Sequence, residues 1–106
     1  MLEMSQELFD QKVMATDEPV LVEFWAPWCV YCRRIGPALE KVAGQYRGRV
    51  AVGKVNIDEE PILAHKEQIE VIPTLILYRG GQALGSIVAP ESKAKIEAFL
   101  KEHLEK

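Results

Sequence analysis

Val20-Leu21-Val22-Glu23-Phe24-Trp25-Ala26-Pro27-Trp28-Cys29-Val30-Tyr31-Cys32 carries an apolar run into a pair of cysteines, with Arg33-Arg34 directly behind. The first seven residues are almost unbroken in their apolar character. Such a run suits a strand covered on both faces, in the middle of a sheet with helices on each side. From Cys32 to Tyr46 the spacing changes, and Ile35, Leu39, Val42, Ala43 and Tyr46 form a helical stripe. Pro37 lies inside it, removes one backbone donor and predicts a kink. The cysteines thus fall where a buried strand hands over to a helix. One sits at the helix start, where free N–H groups and the helix dipole favour a negative sulfur. Cys32, one turn further in, is within reach to close a disulfide.

Outward from this stretch the chain divides into short elements. Ser5 caps a helix running to about Met14, with Leu8, Phe9 and Val13 at helical spacing. Arg49 to Ile57 alternates and reads as a strand, with Val50, Val52, Lys54 and Asn56 on one face. Asp58, Glu59 and Glu60 followed by Pro61 mark a helix start, since carboxylates suit its positive end and proline its first turn. Thr74–Tyr78 and Ala83–Val88 read as strands joined by the hairpin signal Arg79-Gly80-Gly81-Gln82. The last helix begins near Ser92 and presents Ile96, Phe99, Leu100 and Leu104 on one face, with Lys and Glu opposite. The order α-β-α-β-α-β-β-α predicts parallel strands with crossover helices, plus one antiparallel edge strand. Residues 1–106 are expected to form a single α/β domain, helices on both faces of the sheet.

Bulk properties narrow the function. Apolar residues at 48% and charged residues at 27% fit an ordinary soluble domain. A net charge of −3 lacks the basic face that nucleic-acid binding needs. No apolar run approaches membrane-spanning length. The N-terminal stretch has no basic segment leading into an apolar core, so no signal peptide is read and a cytoplasmic location is expected. Two cysteines are too few for a disulfide-rich secreted scaffold and fit a catalytic or metal-binding role in a reducing compartment.

A structural metal needs four ligands, and beyond the cysteines only His65 and His103 are candidates, far apart on separate predicted helices. No metal is expected. A structural disulfide across two residues closes too short a loop to constrain the unfolded chain much. Dithiol redox chemistry is the reading that survives.

FWAPWCVYC, the helix with Pro37, KVNID, VIPT, the RGGQ turn and the closing helix together resemble the thioredoxin family, in the family's order and over nearly the whole chain. The resemblance implies a thioredoxin fold, a three-layer α/β/α sandwich with a mixed sheet of four to five strands and four helices. It implies a protein-disulfide reductase that needs no cofactor beyond its own redox-active disulfide, acts as a monomer on protein disulfides and is recycled by a thioredoxin reductase. By the same resemblance Cys29 is the exposed nucleophile and Cys32 the buried resolving thiol. Trp28 covers the sulfur pair, and Ile72-Pro73 occupies the cis-proline position, where the backbone of Ile72 pairs with a bound substrate strand. Val30, Tyr31 and Ala89 join Trp28, Ile72 and Pro73 on the substrate-facing surface.

Glu23 is the only charge in the apolar run, so desolvation should raise its pKa and let it trade protons near neutrality. The family commonly has Asp here, which takes the resolving thiol's proton, with a nearby lysine that Lys54 matches. A structural ion pair between Glu23 and Lys54 is the competing reading. Other departures are Val-Tyr where the family usually has Gly-Pro, Ala89 where it usually has Gly, and Glu70-Val71 for Arg-Gly. Tyr31 restores a backbone N–H that proline would lack, which favours the thiolate and hence a more oxidising site. An oxidase or isomerase, a glutaredoxin-like protein and a binding module on the same fold remain as alternatives.

Overall fold

A computed structural model describes residues 1–105. In chain order the elements are β1 (Leu2–Glu3), α1 (Gln6–Phe9, prolonged by a π-helical turn over Asp10–Met14), β2 (Val20–Trp25), α2 (Val30–Gln45), β3 (Ala51–Asn56), α3 (Pro61–Lys66), β4 (Thr74–Arg79), β5 (Gln82–Val88) and α4 (Lys93–Leu104). The five strands lie in the order β1-β3-β2-β4-β5. β2 is central, as its apolar run predicts, and every residue from Val20 to Phe24 is buried.

Alternation along the strands separates two cores. On one face Leu21, Leu75 and Leu77 pack beneath α2 and α4, meeting Ile35, Leu39, Val42, Ile96 and Leu100. On the other, Val20, Val22, Phe24 and Ile76 pack against Phe9, Val13 and Leu63. Each fully buried leucine or phenylalanine contributes about 1.5–3 kcal/mol by leaving water. The outcome is a helix–sheet–helix sandwich.

Caps explain several boundaries. Ser5 Oγ accepts from Leu8 N at 3.2 Å and Ser92 Oγ from Lys95 N at 3.2 Å, each fixing a helix start. Gly80 and Gly81 have φ of +60° and +77°, the paired positive values a two-residue hairpin turn demands. α2 continues through Pro37 and begins at Val30 rather than Cys32, so that Cys29 itself is the N-cap residue.

Three expectations are corrected. β1 was not foreseen: two residues are too short to alternate, and they are held only by parallel pairing to Gly53 and Lys54. β4 runs antiparallel to β2, not parallel. A six-residue strand is about 20 Å long, whereas the six residues of α3 reach only about 9 Å. α3 therefore cannot carry the chain back along the sheet, and β4 enters at the end where β3 stopped. The acids before α3 also do other work than expected. Glu60 Oε1 accepts from Gln6 N at 3.0 Å, at the start of α1, and no side chain caps α3 itself.

Candidate active site

The ends of β2 and β3, the start of β4 and the end of β5 converge at one edge of the sheet, and the cysteines lie there. Cys29 N donates to Ala26 O at 3.1 Å, which turns the chain out of β2. Cys29 and Cys32 form a disulfide with their Cα atoms 5.3 Å apart. Cys29 Sγ accepts from Cys32 N at 3.2 Å, so the sulfur lies at the amides of the helix start. Tyr31's amide, expected to help here, makes no bond to that sulfur in the disulfide form. Cys29 is also less open than expected, at 8% accessibility against 4% for Cys32. Ala26, Ile72, Ile57, Trp25 and Tyr31 pack around the pair and account for the cover.

The Ile72–Pro73 peptide is cis, and Ile72 touches the dithiol cluster. Ala89 N donates to Pro73 O at 2.9 Å, so the loop after β5 is tied to that proline. Trp28 lies at the surface beside Cys29. Its indole is 64% exposed, and Nε1 donates to Asp58 Oδ2 at 2.9 Å, while Asp58 N donates to Asn56 Oδ1 at 2.9 Å. Val30, Val71 and Val88, neighbours in sequence of Cys29, Ile72 and Ala89, are all more than half exposed and give this edge an apolar surface. Arg33 and Arg34 are exposed on α2.

Glu23 is 4% exposed, and its Oε2 has no hydrogen-bond partner among the described residues. Burial lifts its pKa from 4.5 to about 7, Lys54 opposing the rise and Glu3 adding to it. Lys54 is the register neighbour of Glu23 on β3 but closes no ion pair with it. Its Nζ instead lies 4.3 Å from the centre of the Trp25 ring, whose Nε1 donates to both carboxylate oxygens of Glu3, at 3.2 and 3.3 Å. The structural ion-pair reading of Glu23 thus loses its partner. A cavity of about 270 Å³ is lined by both Glu23 and Cys32, together with Trp25 and Lys54. A water occupies about 30 Å³ of liquid, so water-mediated contact between carboxyl and thiol fits this space. Roomier clefts, of about 450 and 530 Å³, lie at Arg47–Val52 and along α4 and contain no thiol.

The contacts that Asp58, Asn56, Glu3 and Pro90 make around the site were not foreseen from the sequence. Only Asn56-Ile57-Asp58 carried a local signal, the Asx-turn chemistry of an Asn two residues before the amide it accepts from. Among the described residues no group of three or more His, Cys, Asp or Glu is arranged to hold a metal.

A cysteine pair joined as a disulfide at a helix start, beside a cis-proline on an α/β sandwich, defines a thiol–disulfide oxidoreductase. The family model described as Thioredoxin matches residues 1–102. Curated relatives include Thioredoxin 1 of Nostoc sp., 41% identical over 96% of this chain and 95% of its own. Thioredoxin of Acidithiobacillus ferridurans is 42% identical over 97% and 95%, and that of Synechocystis sp. 38% over 96% and 95%. The chain belongs to the thioredoxin family, and its activity is protein-disulfide reduction through a CxxC site that Cys29 and Cys32 fit.

Proposed function

We propose that residues 1–106 act as one thioredoxin-like unit in the cytoplasm, a monomer that reduces protein disulfides and is recharged by a separate thioredoxin reductase. The observation that carries this reading is the Cys29–Cys32 disulfide at the N-cap of α2, with a buried carboxyl opening onto the same cavity as Cys32. Cys29 thiolate attacks one sulfur of the substrate disulfide, forms a mixed disulfide and releases the other sulfur as a thiolate, which takes up a proton. Cys32 then gives its proton to the Glu23 carboxylate and attacks Cys29 Sγ. The second substrate thiolate leaves, and the Cys29–Cys32 bond holds the two electrons' worth of oxidation. A group with a pKa of about 7 is available as carboxylate or acid at neutral pH, which is what this step requires. Lys54 tunes Glu23 by opposing its rise.

Trp28, Val30, Tyr31, Ile72, Pro73 and Ala89 form the docking surface, with Ile72 pairing its backbone to an extended substrate. The two sulfurs carry the electrons, so no cofactor is needed. No helix is long and apolar enough to cross a membrane among the described residues. A sole cysteine pair used for exchange suits a reducing compartment.

Chemically reduced protein is expected to reduce insulin catalytically, measured by precipitation of the freed B chain; no rate above dithiothreitol alone refutes the reading. Its potential is expected above the roughly −270 mV of thioredoxin, because position 31 keeps an amide at the helix start where proline has none. Titration in glutathione buffers giving an equal or lower value sinks that expectation. A value near that of isomerases, about −180 mV, favours the oxidising alternative.

A further inference from the structure

The Val-Tyr insert makes a contact that a Gly-Pro insert cannot. Tyr31 Oη donates to Pro90 O at 3.1 Å, across 59 positions of sequence. Pro90 lies between β5 and α4, directly after Ala89, whose amide donates to Pro73 O at 2.9 Å. The loop is therefore fastened on two sides, to the cis-proline and to the first turn of the dithiol helix. Ala89 also has φ of +45°, a left-handed conformation costly for any residue with a Cβ and kept only where the surroundings hold it. The Tyr31 ring packs against both the main core and the dithiol cluster, with the Arg34 guanidinium 5.9 Å from its centre. Its hydroxyl thus has a firm base from which to fix the loop.

We infer that Tyr31 is a specificity-determining positioning residue, whose bond to Pro90 holds the Ala89 loop in one setting against the dithiol. The inference rests on the disulfide-exchange reading of the site. Its reasoning is steric. An extended protein segment entering beside Ile72 meets the Ala89 loop, whereas a small disulfide needs only the sulfur. A fixed loop favours protein partners that offer their disulfide in an extended stretch, because the loop's ordering is complete before they arrive.

Tyr31→Phe keeps the ring and removes one hydroxyl. A net hydrogen bond of about 1 kcal/mol corresponds to about fivefold. The Ala89 amide is expected to exchange with deuterium about fivefold faster in the variant. KM for insulin is expected to rise about fivefold with kcat held within about twofold, and the preference for insulin over hydroxyethyl disulfide to fall by the same factor. Unchanged Ala89 exchange overturns the inference, and so does a variant that alters kcat or potential while KM stays put. A parent protein that reduces neither disulfide refutes the exchange reading instead, and amide exchange then decides alone whether Tyr31 holds the loop.

Discussion

Glu23→Leu is expected to gain about 3 kcal/mol in stability relative to the parent as the pH rises from about 4 to about 8. The carboxyl ionises near 4.5 in the unfolded chain and near 7 in the fold. Below 4.5 both states hold the proton. Between the two values the native protein keeps a proton that the unfolded chain has lost, so stability falls as pH rises through about 7. Above that the cost of a buried charge is constant. Leucine carries none of it, and its volume suits a strand position between buried Leu21 and half-buried Trp25. Urea midpoints of the two proteins across that pH range test this. Were Glu23 half of a structural ion pair, its loss would orphan Lys54 and destabilise by about 3–5 kcal/mol. A destabilised variant therefore defeats this account. The companion change, Glu23→Gln, is expected to slow release from the mixed disulfide about tenfold at neutral pH and to erase an inflection near pH 7. A pH–rate profile that matches the parent's removes Glu23 from the proton path. The two results together would tie a group kept at a cost to folding to the step that uses it.

Cys29→Ser and Cys32→Ser are expected to fail differently. Without Cys29 only the more buried Cys32 sulfur is left, and insulin reduction should drop by more than about 10³-fold with no adduct formed. Without Cys32 the attack proceeds, but nothing resolves it. Cys29 should then remain joined to protein partners as mixed disulfides, seen on non-reducing gels and released by dithiothreitol. The helix start distinguishes the two positions. Cys29 is the N-cap, receives the Cys32 amide and has twice the accessibility of Cys32. Adducts on Cys29→Ser and none on Cys32→Ser would reverse the assignment. Neither change should alter the fold much, since the bridge closes a short loop.

What could be read from the sequence was local. The β2 run, the α2 stripe, the Gly-Gly turn and the CxxC handover each lie within one stretch of chain, and each has the form expected. What escaped depends on distance. Trp28 finds Asp58 30 positions away, Tyr31 finds Pro90 59 away, and Trp25 finds Glu3 22 away. No pattern along the chain encodes such meetings. The direction of β4 was misread because alternation of strand and helix was weighed without the length of α3. Glu23 was readable as a lone charge in an apolar run. That Lys54 prefers the Trp25 ring to its carboxylate was not.

The reversal of β4 divides the sheet into a working pole and a closing pole. Had β4 run parallel to β2, its first residue would lie at the far end, about 20 Å from where it now stands, and Ile72 would not reach the dithiol cluster. At the working pole the chain passes four times, near Cys29, Asp58, Pro73 and Ala89, and residues from separate passes bond to one another. At the other pole the Gly80-Gly81 turn reverses the chain well away from the thiols. The shortness of α3 thereby decides at which end of the sheet the cysteines, the cis peptide and the Ala89 loop come together.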